Sequence, residues 1–578
     1  MYDLIITNGF LIDGTGASRR RADVAIRAGR IVALGRFSAA EGRRVIDAEG
    51  CVVAPGIIDA HTHYDPQLTL DPYAASSCFH GVTSVVVGNC GFALAPTRPE
   101  ARLGVKQIFS RVEEIDMETL DRIPWDFETF PELLASREGN LGVNAAWYIG
   151  HSNLRLWAMG EAAYDREATE EEIETMRRSV AEAMASGAAG LSSSHSPTDL
   201  DTLDRPVPSR QSSLAELSTL ACEAGSSNRG SIAYLPFSAV GGLSEADGDY
   251  LIELALESRL PVIIQGLGAR SKTDAPTATW PESKAYLERA RARGAAVYSL
   301  LISRPFIRPF SLAKGTTLFE GALPFDRLFT QAKSVADRIE MLRDPDYRNA
   351  IREAVEKPNT DPDAGSTLPP PRFDQLRVNR TAHPDNRRYV GQTLAEIGRE
   401  RGEAPMDSLI EIALKDDLET EILWSTDTDE WREGTQLASL HPQMIIGTSD
   451  GGAHLGRDDG AEFSSYFFRY WVREWGRWEL EAAVRELTAI PASILGLTDR
   501  GILAPGYAAD LVIFDPVTIG PDLKEFREDR IPGQKRWISR PVGVRATIVN
   551  GVPIVLEGEI PDDAGLPGTV LRPGLPRE

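Results

Sequence analysis

The stretch Pro55-Gly56-Ile57-Ile58-Asp59-Ala60-His61-Thr62-His63 joins an apolar run, 56–60, to two histidines one residue apart. In a β-strand, residues i and i+2 point to the same face, so both imidazoles are aimed at one point beyond the strand's end. Two histidines so placed suit a metal ion. An HxH by itself also fits two unrelated surface histidines. Its position directly after an apolar strand, in a 578-residue chain holding only 8 His, favours the ligands.

Outward from that stretch, apolar strand-like runs alternate with amphipathic helices, the signature of βα units around a parallel sheet. Eight runs are readable, at 56–60, 83–88, 143–149, 188–191, 231–235, 261–264, 295–301 and 444–447. Thr169-Glu170-Glu171-Glu172 is a capping box opening a helix that runs through Met184 and stops at Gly187. Residues 249–259, 282–292 and 406–414 carry apolar side chains at three- and four-residue intervals, as buried helix faces do. Eight strands with helices between them predict an α/β fold, a (β/α)8 TIM-like barrel.

Two features interrupt the alternation. The connection between the seventh and eighth runs is about 140 residues long, and 358–371 within it is rich in Pro, Asp and Gly. A connection of that length is a lid-like insertion or a small subdomain. Residues 2–8, 22–27 and 31–34, and near the end 510–514, 545–550 and 553–556, read as short strands. The two β-rich ends are expected to pair into one small β-sandwich. The predicted organisation is a sandwich from 1–54 and 498–578 around a barrel over 55–497, with an insertion at about 303–440.

Composition excludes other classes. With 42% hydrophobic and 25% charged residues, the chain is a soluble globular protein. Its 62 Lys+Arg against 85 Asp+Glu give a net charge of −23, which argues against nucleic acid or an anionic membrane as partner. The four cysteines, Cys51, Cys78, Cys90 and Cys222, show no CxxC spacing and form no disulfide framework. The N-terminus lacks the basic and apolar regions of a signal peptide, and no apolar run approaches the roughly 18–20 residues that span a bilayer. A cytoplasmic protein with a small-molecule substrate is expected, and a homo-oligomer is compatible with the chain.

In a (β/α)8 barrel the chemistry sits at the C-terminal ends of the strands. The second run ends in Gly88-Asn89-Cys90-Gly91-Phe92, where Cys90 is a buried thiol or a soft metal ligand one strand from the HxH. The eighth run ends in Gly447-Thr448-Ser449-Asp450-Gly451-Gly452-Ala453-His454. The first and eighth strands are neighbours in a closed barrel, so Asp450 is placed to meet the metal of His61 and His63. His151, His195 and His454 follow the third, fourth and eighth runs and either complete the site, contact substrate or fill loops. His80, His383 and His441 lack comparable placement.

These segments together resemble the metal-dependent amidohydrolase superfamily, in its N-acyl-D-amino-acid deacylase (D-aminoacylase) branch. The likeness rests on the stretch 55–63, His80-Gly81-Val82-Thr83, Gly88-Asn89-Cys90-Gly91-Phe92, Gly150-His151-Ser152-Asn153-Leu154-Arg155 and Thr448-Ser449-Asp450. Asp499-Arg500-Gly501, Pro505-Gly506-Tyr507-Ala508-Ala509-Asp510-Leu511 and Val549-Asn550-Gly551 extend it. The resemblance implies zinc on His61 and His63, Cys90 as bridging ligand, and Asp450 as ligand and base. Two positions depart from that branch. Where it has Tyr-x-x-His-x-Arg after strand five, this chain reads Tyr234-Leu235-Pro236-Phe237-Ser238-Ala239. Where it has Ser-His-x-Lys after strand six, this chain reads Gln265-Gly266-Leu267-Gly268. Two metal-binding histidines and two cationic groups are thus replaced.

The resulting expectation is a zinc-dependent hydrolase that cleaves an amide C–N bond, of an N-acyl amino acid-like or cyclic amide, with metal-activated water. One zinc per chain is expected on His61, His63, Cys90 and Asp450, with Asp450 catalytic and with His151, His454 and Tyr234 toward substrate. The alternatives are the same metal site acting on a lactone or in deamination, a non-catalytic binding protein, and a binuclear centre completed from the insertion, for example by His383.

Overall fold

The computed structural model describes residues 1–239, 242–265, 267, 279–316, 318–319, 322–357, 372–456 and 460–575. The Pro-rich stretch 358–371, and Gly266 and Gly268, lie outside the described residues. Eight parallel strands form one sheet whose spatial order follows the chain. They are Ile57–Asp59, Val82–Val87, Asn144–Gly150, Gly190–Ser194, Ser231–Leu235, Val262–Ile264, Val297–Leu300 and Met444–Ile445. The second and third strands are buried at every residue, as a parallel sheet covered on both faces requires. Thr169 and Glu172 close a reciprocal capping box on Glu170–Ser186, and left-handed Gly187 ends that helix.

The sheet curls on itself. Ile58, Val86, Ala146, Ala233, Ile263 and Ile445, from six of the strands, share one buried cluster. Main-chain bonds also join the first and last strands: Ala60 N–H donates to Gly447 O at 2.8 Å, and Asp450 N–H to His61 O at 3.1 Å. Asp59 adds a side-chain tie across the same junction, accepting from Ser449 N at 3.0 Å and Ser449 Oγ at 2.5 Å.

Both chain ends build two further sheets. One orders Arg30–Gly35, Asp23–Arg27, Tyr2–Thr7 and Gly42–Asp47. The other orders Val552–Leu556, Val544–Val549, Leu511–Phe514, Val52–Pro55, Phe10–Leu11 and Arg20–Arg21. Leu511 pairs with Pro55 and Phe514 with Val52, so the C-terminal segment hydrogen-bonds to the strand that leads into the barrel-like sheet. Leu4, Ile6 and Val24 of the first sheet pack with Leu511, Ile513 and Ile548 of the second.

The long connection holds its own core, with Phe319, Phe325, Leu409, Ile410 and Ile422 buried together. Its antiparallel sheet sets Glu421–Ser425 between Ile307–Phe310 and Leu376–Arg380. The helix Asp429–Ser439 instead packs on Trp280–Ala292 and the eighth strand.

Candidate metal centre

His61 and His63 emerge from the first strand, Cys90 from the second and Asp450 from the eighth. Cys90 and Asp450 take left-handed backbone angles, φ 53° and 63°, a conformation that costs a non-glycine residue free energy and re-aims its side chain. Gly88 makes the Cys90 turn feasible, since a Cβ there would sit 2.4 Å from Tyr148 O.

The donors of His61, His63 and Cys90 converge, and Asp450 meets the two imidazoles. His61 Nε2 and His63 Nε2 are 3.3 Å apart, Cys90 Sγ is 3.7 and 3.8 Å from them, and Asp450 Oδ1 is 3.6 and 3.5 Å from them. Zinc bonded to nitrogen at about 2.0–2.1 Å and to sulfur at about 2.3 Å sets tetrahedral edges of about 3.3–3.6 Å. His61, His63 and Cys90 fit a zinc-sized ion in chemistry and in spacing, while Asp450 reaches the two imidazoles but lies outside the group formed with Cys90. Among the described residues, His61, His63 and Cys90 form the one group of metal-binding side chains drawn together in this way.

Around the cluster, burial and neighbouring charges shift the groups in opposite directions. Burial pushes the His61 imidazole down to about 3 and the Cys90 thiol up to about 12. Burial alone would also lower His63, but the Glu113 carboxylate and Asp450 hold it well above its ordinary value. Burial alone would raise the carboxyl of half-buried Asp450, but His63, His454 and His61 keep it well below the usual range. Glu113 Oε1 lies 3.1 Å from His63 Nδ1, an outer partner that turns Nε2 toward the cluster.

The other candidates lie differently. His454 Nε2 is 3.6 Å from Asp450 Oδ2, at the mouth of the cluster. His151 is fully buried, with Nδ1 on Ser193 Oγ and Nε2 on Glu216 Oε1, both at 2.9 Å. Glu216 is held in turn by Arg155, at 2.6 Å to each oxygen. His195 meets Tyr234 Oη at 2.6 Å and Ser212 Oγ at 2.9 Å, and Tyr234 is buried. Phe237 is 47% exposed and turned to solvent, while Ala239 is buried. His80 bonds Ser465 Oγ and Ser539 O. His383 caps the turn Pro384–Tyr389 within the insertion.

Two partners escape the sequence reading. Glu113 lies 50 residues from His63, with no spacing to flag it. Gln265, which stands in the altered strand-six segment, brings its carboxamide onto His61 and to 3.9 Å from Cys90 Sγ. Its position directly after the sixth strand was the available signal.

With this geometry in view, the comparisons are specific. Residues 44–555 match the family described as Amidohydro_3, the amidohydrolase family. The chain belongs to that family of metal-dependent hydrolases acting on carbon–nitrogen bonds other than peptide bonds. It is 31% identical to the N-acyl-D-glutamate deacylase of Alcaligenes xylosoxydans xylosoxydans over 89% of this chain and 88% of that protein. It is 28% identical to the D-aminoacylase of the same organism, over 96% and 94% respectively. The structure of N-acyl-D-glutamate deacylase from Bordetella bronchiseptica, complexed with zinc and a phosphonate inhibitor, superposes with a TM-score of 0.63 at 25% identity, covering 99% of both chains. Among the described residues no helix is long and apolar enough to cross a membrane.

Proposed function

We propose that this chain is a zinc-dependent amide hydrolase acting on N-acyl amino acid-like or cyclic amides with a single zinc held by His61, His63, Cys90 and Asp450. The observation that carries the reading is the 3.3–3.8 Å spacing of the His61, His63 and Cys90 donors, with Asp450 at 3.5–3.6 Å from both imidazoles. The zinc and phosphonate in the Bordetella deacylase support the choice of metal and reaction class. Phe237 and Ala239 at the end of the fifth strand offer no ligand for a second ion, which supports one zinc per chain.

Zinc bound there would act as a Lewis acid and lower the pKa of water to about 7. Asp450 accepts the proton of the attacking water and passes it to the leaving nitrogen. His454, on the other carboxylate oxygen, keeps Asp450 ionised and faces substrate. His151 and Tyr234, assigned to substrate from sequence, act on this reading from behind the site, since their polar atoms are engaged by Ser193, Glu216 and His195. The architecture we assign is a closed (β/α)8 barrel over 55–497, a β-sandwich from 1–54 and 498–578, and an insertion inside 303–440. Free, unpaired cysteines agree with a cytoplasmic location.

Elemental analysis together with a substrate panel tests this. One zinc per chain in the wild type, largely lost in Cys90→Ala, is the expected result, with turnover among N-acyl-D-amino acids and cyclic imides. Turnover of lactones alone would move the chemistry to esters. A chain with neither zinc nor turnover would be a binding protein.

A further inference from the structure

We propose, building on that hydrolase reading, that Gln265 is a catalytic residue whose side-chain N–H groups hold the carbonyl oxygen of the scissile amide. Gln265 directly follows the sixth strand, and Ile264 before it is paired to Tyr234 on one side and Ser299 on the other. The backbone that carries the carboxamide is therefore fixed by the sheet, as precise positioning requires. Its Nε2 contacts His61 Nε2, lies 3.1 Å from His61 Nδ1 and 3.9 Å from Cys90 Sγ. Asp450 Oδ1 approaches the same His61 Nε2 at 3.6 Å. A proton acceptor and a neutral hydrogen-bond donor thus stand around one atom of the cluster.

His151, His195 and Tyr234 at the ends of the third to fifth strands are committed. Both ring nitrogens of His151 and of His195 are bonded, and the Tyr234 hydroxyl is on His195. Gln265 is half-buried, so its carboxamide beside the His61 and Cys90 donors is partly shielded from water, where a donor aimed at developing charge is worth most. A carboxamide also keeps both hydrogens throughout the neutral pH range.

The step balances as follows. The water oxygen bonds to the carbonyl carbon, the carbonyl π pair moves onto oxygen, and Asp450 takes the water proton. Gln265 donates hydrogen bonds to the resulting oxyanion without transferring a proton. The oxyanion pair then re-forms the carbonyl, the C–N bond breaks, and Asp450 returns the proton to nitrogen, giving a carboxylic acid and an amine.

Gln265→Leu and Gln265→Glu test the assignment, using the N-acyl-D-amino acid turned over fastest in the panel and its phosphonate analogue. Gln265→Leu is expected to keep wild-type zinc while kcat falls about 10²–10³-fold with KM little changed, the usual loss for one oxyanion donor. Affinity for the phosphonate should fall in parallel with kcat/KM. Gln265→Glu should retain zinc and lose at least as much activity, because a carboxylate would then face the oxyanion. Near wild-type turnover in Gln265→Leu overturns the proposal. So does loss of zinc in Gln265→Leu with activity kept in Gln265→Glu, which would make the residue a ligand. A wild type with neither zinc nor turnover would instead sink the underlying hydrolase reading.

Discussion

At the ends of the first, second and eighth strands, His61, His63, Cys90 and Asp450 turn their donor atoms on one another. At the ends of the third to fifth strands, His151, His195 and Tyr234 turn theirs on Ser193, Glu216, Ser212 and each other. Both groups contain two imidazoles, and in the first the histidines are buried while Cys90 and Asp450 are half-exposed. In the second group every ring nitrogen has a complementary partner, and the network satisfies itself. In the first, two imidazole nitrogens face each other at 3.3 Å, an arrangement that is favourable only with a proton or a cation between them. Histidine after a strand of this parallel sheet is thus not one signal but two, separated by whether its polar atoms are already spoken for.

The largest expected effect that sharpens this contrast is on Asp450. Asp450→Asn removes the proton acceptor, and kcat should fall about 10²–10⁴-fold, the range typical of general acid–base residues. Steady-state kinetics on the panel substrate reads it, and an unchanged kcat would move the base elsewhere.

Glu216→Ala probes the other group. It strips the buried Arg155 and His151 of their shared carboxylate, and breaking a buried ion pair in this way costs about 3–5 kcal/mol. Urea unfolding should show that loss, while zinc per folded chain stays unchanged. Loss of zinc without loss of stability would mean that the two groups are one site.

A smaller effect concerns pH. Burial pushes His80 and His195 down to about 4 from the ordinary 6.5, and lowers His151 as well. Below pH 6.5 the unfolded chain takes up protons that the folded chain refuses, so stability falls as pH drops toward the folded values. Each such group contributes about 1.4 kcal/mol per pH unit across that window. Unfolding free energies between pH 7 and 5 should show this slope, and His195→Gln should reduce it. An unaltered slope in that variant would mean that His195 titrates normally.

Much of this was legible from order and spacing. Each apolar run coincides with a strand of the parallel sheet, though observed strands differ by one to a few residues, as with 188–191 against Gly190–Ser194. That His61, His63, Cys90 and Asp450 lie near one another was readable because strand ends converge in this type of sheet. The burial of His151 was not. It depends on Glu216, which is 65 residues away on the helix Leu214–Gly225, and no local pattern couples the two. Gln265 was noticed only as a departure, because a neutral amide beside a glycine reads as turn chemistry. The long connection's separate core was one of two readings of its length, and only the packing of Phe319, Phe325 and Ile422 distinguishes it from a lid.

The central claim is that one zinc sits among His61, His63, Cys90 and Asp450. Zinc-edge X-ray absorption on the loaded protein tests it most directly. The account predicts a single first shell with one sulfur at about 2.3 Å and nitrogen or oxygen neighbours at about 2.0–2.1 Å, the sulfur vanishing in Cys90→Ala. A shell of nitrogen and oxygen alone in the wild type, or a zinc–zinc distance in the spectrum, would contradict it.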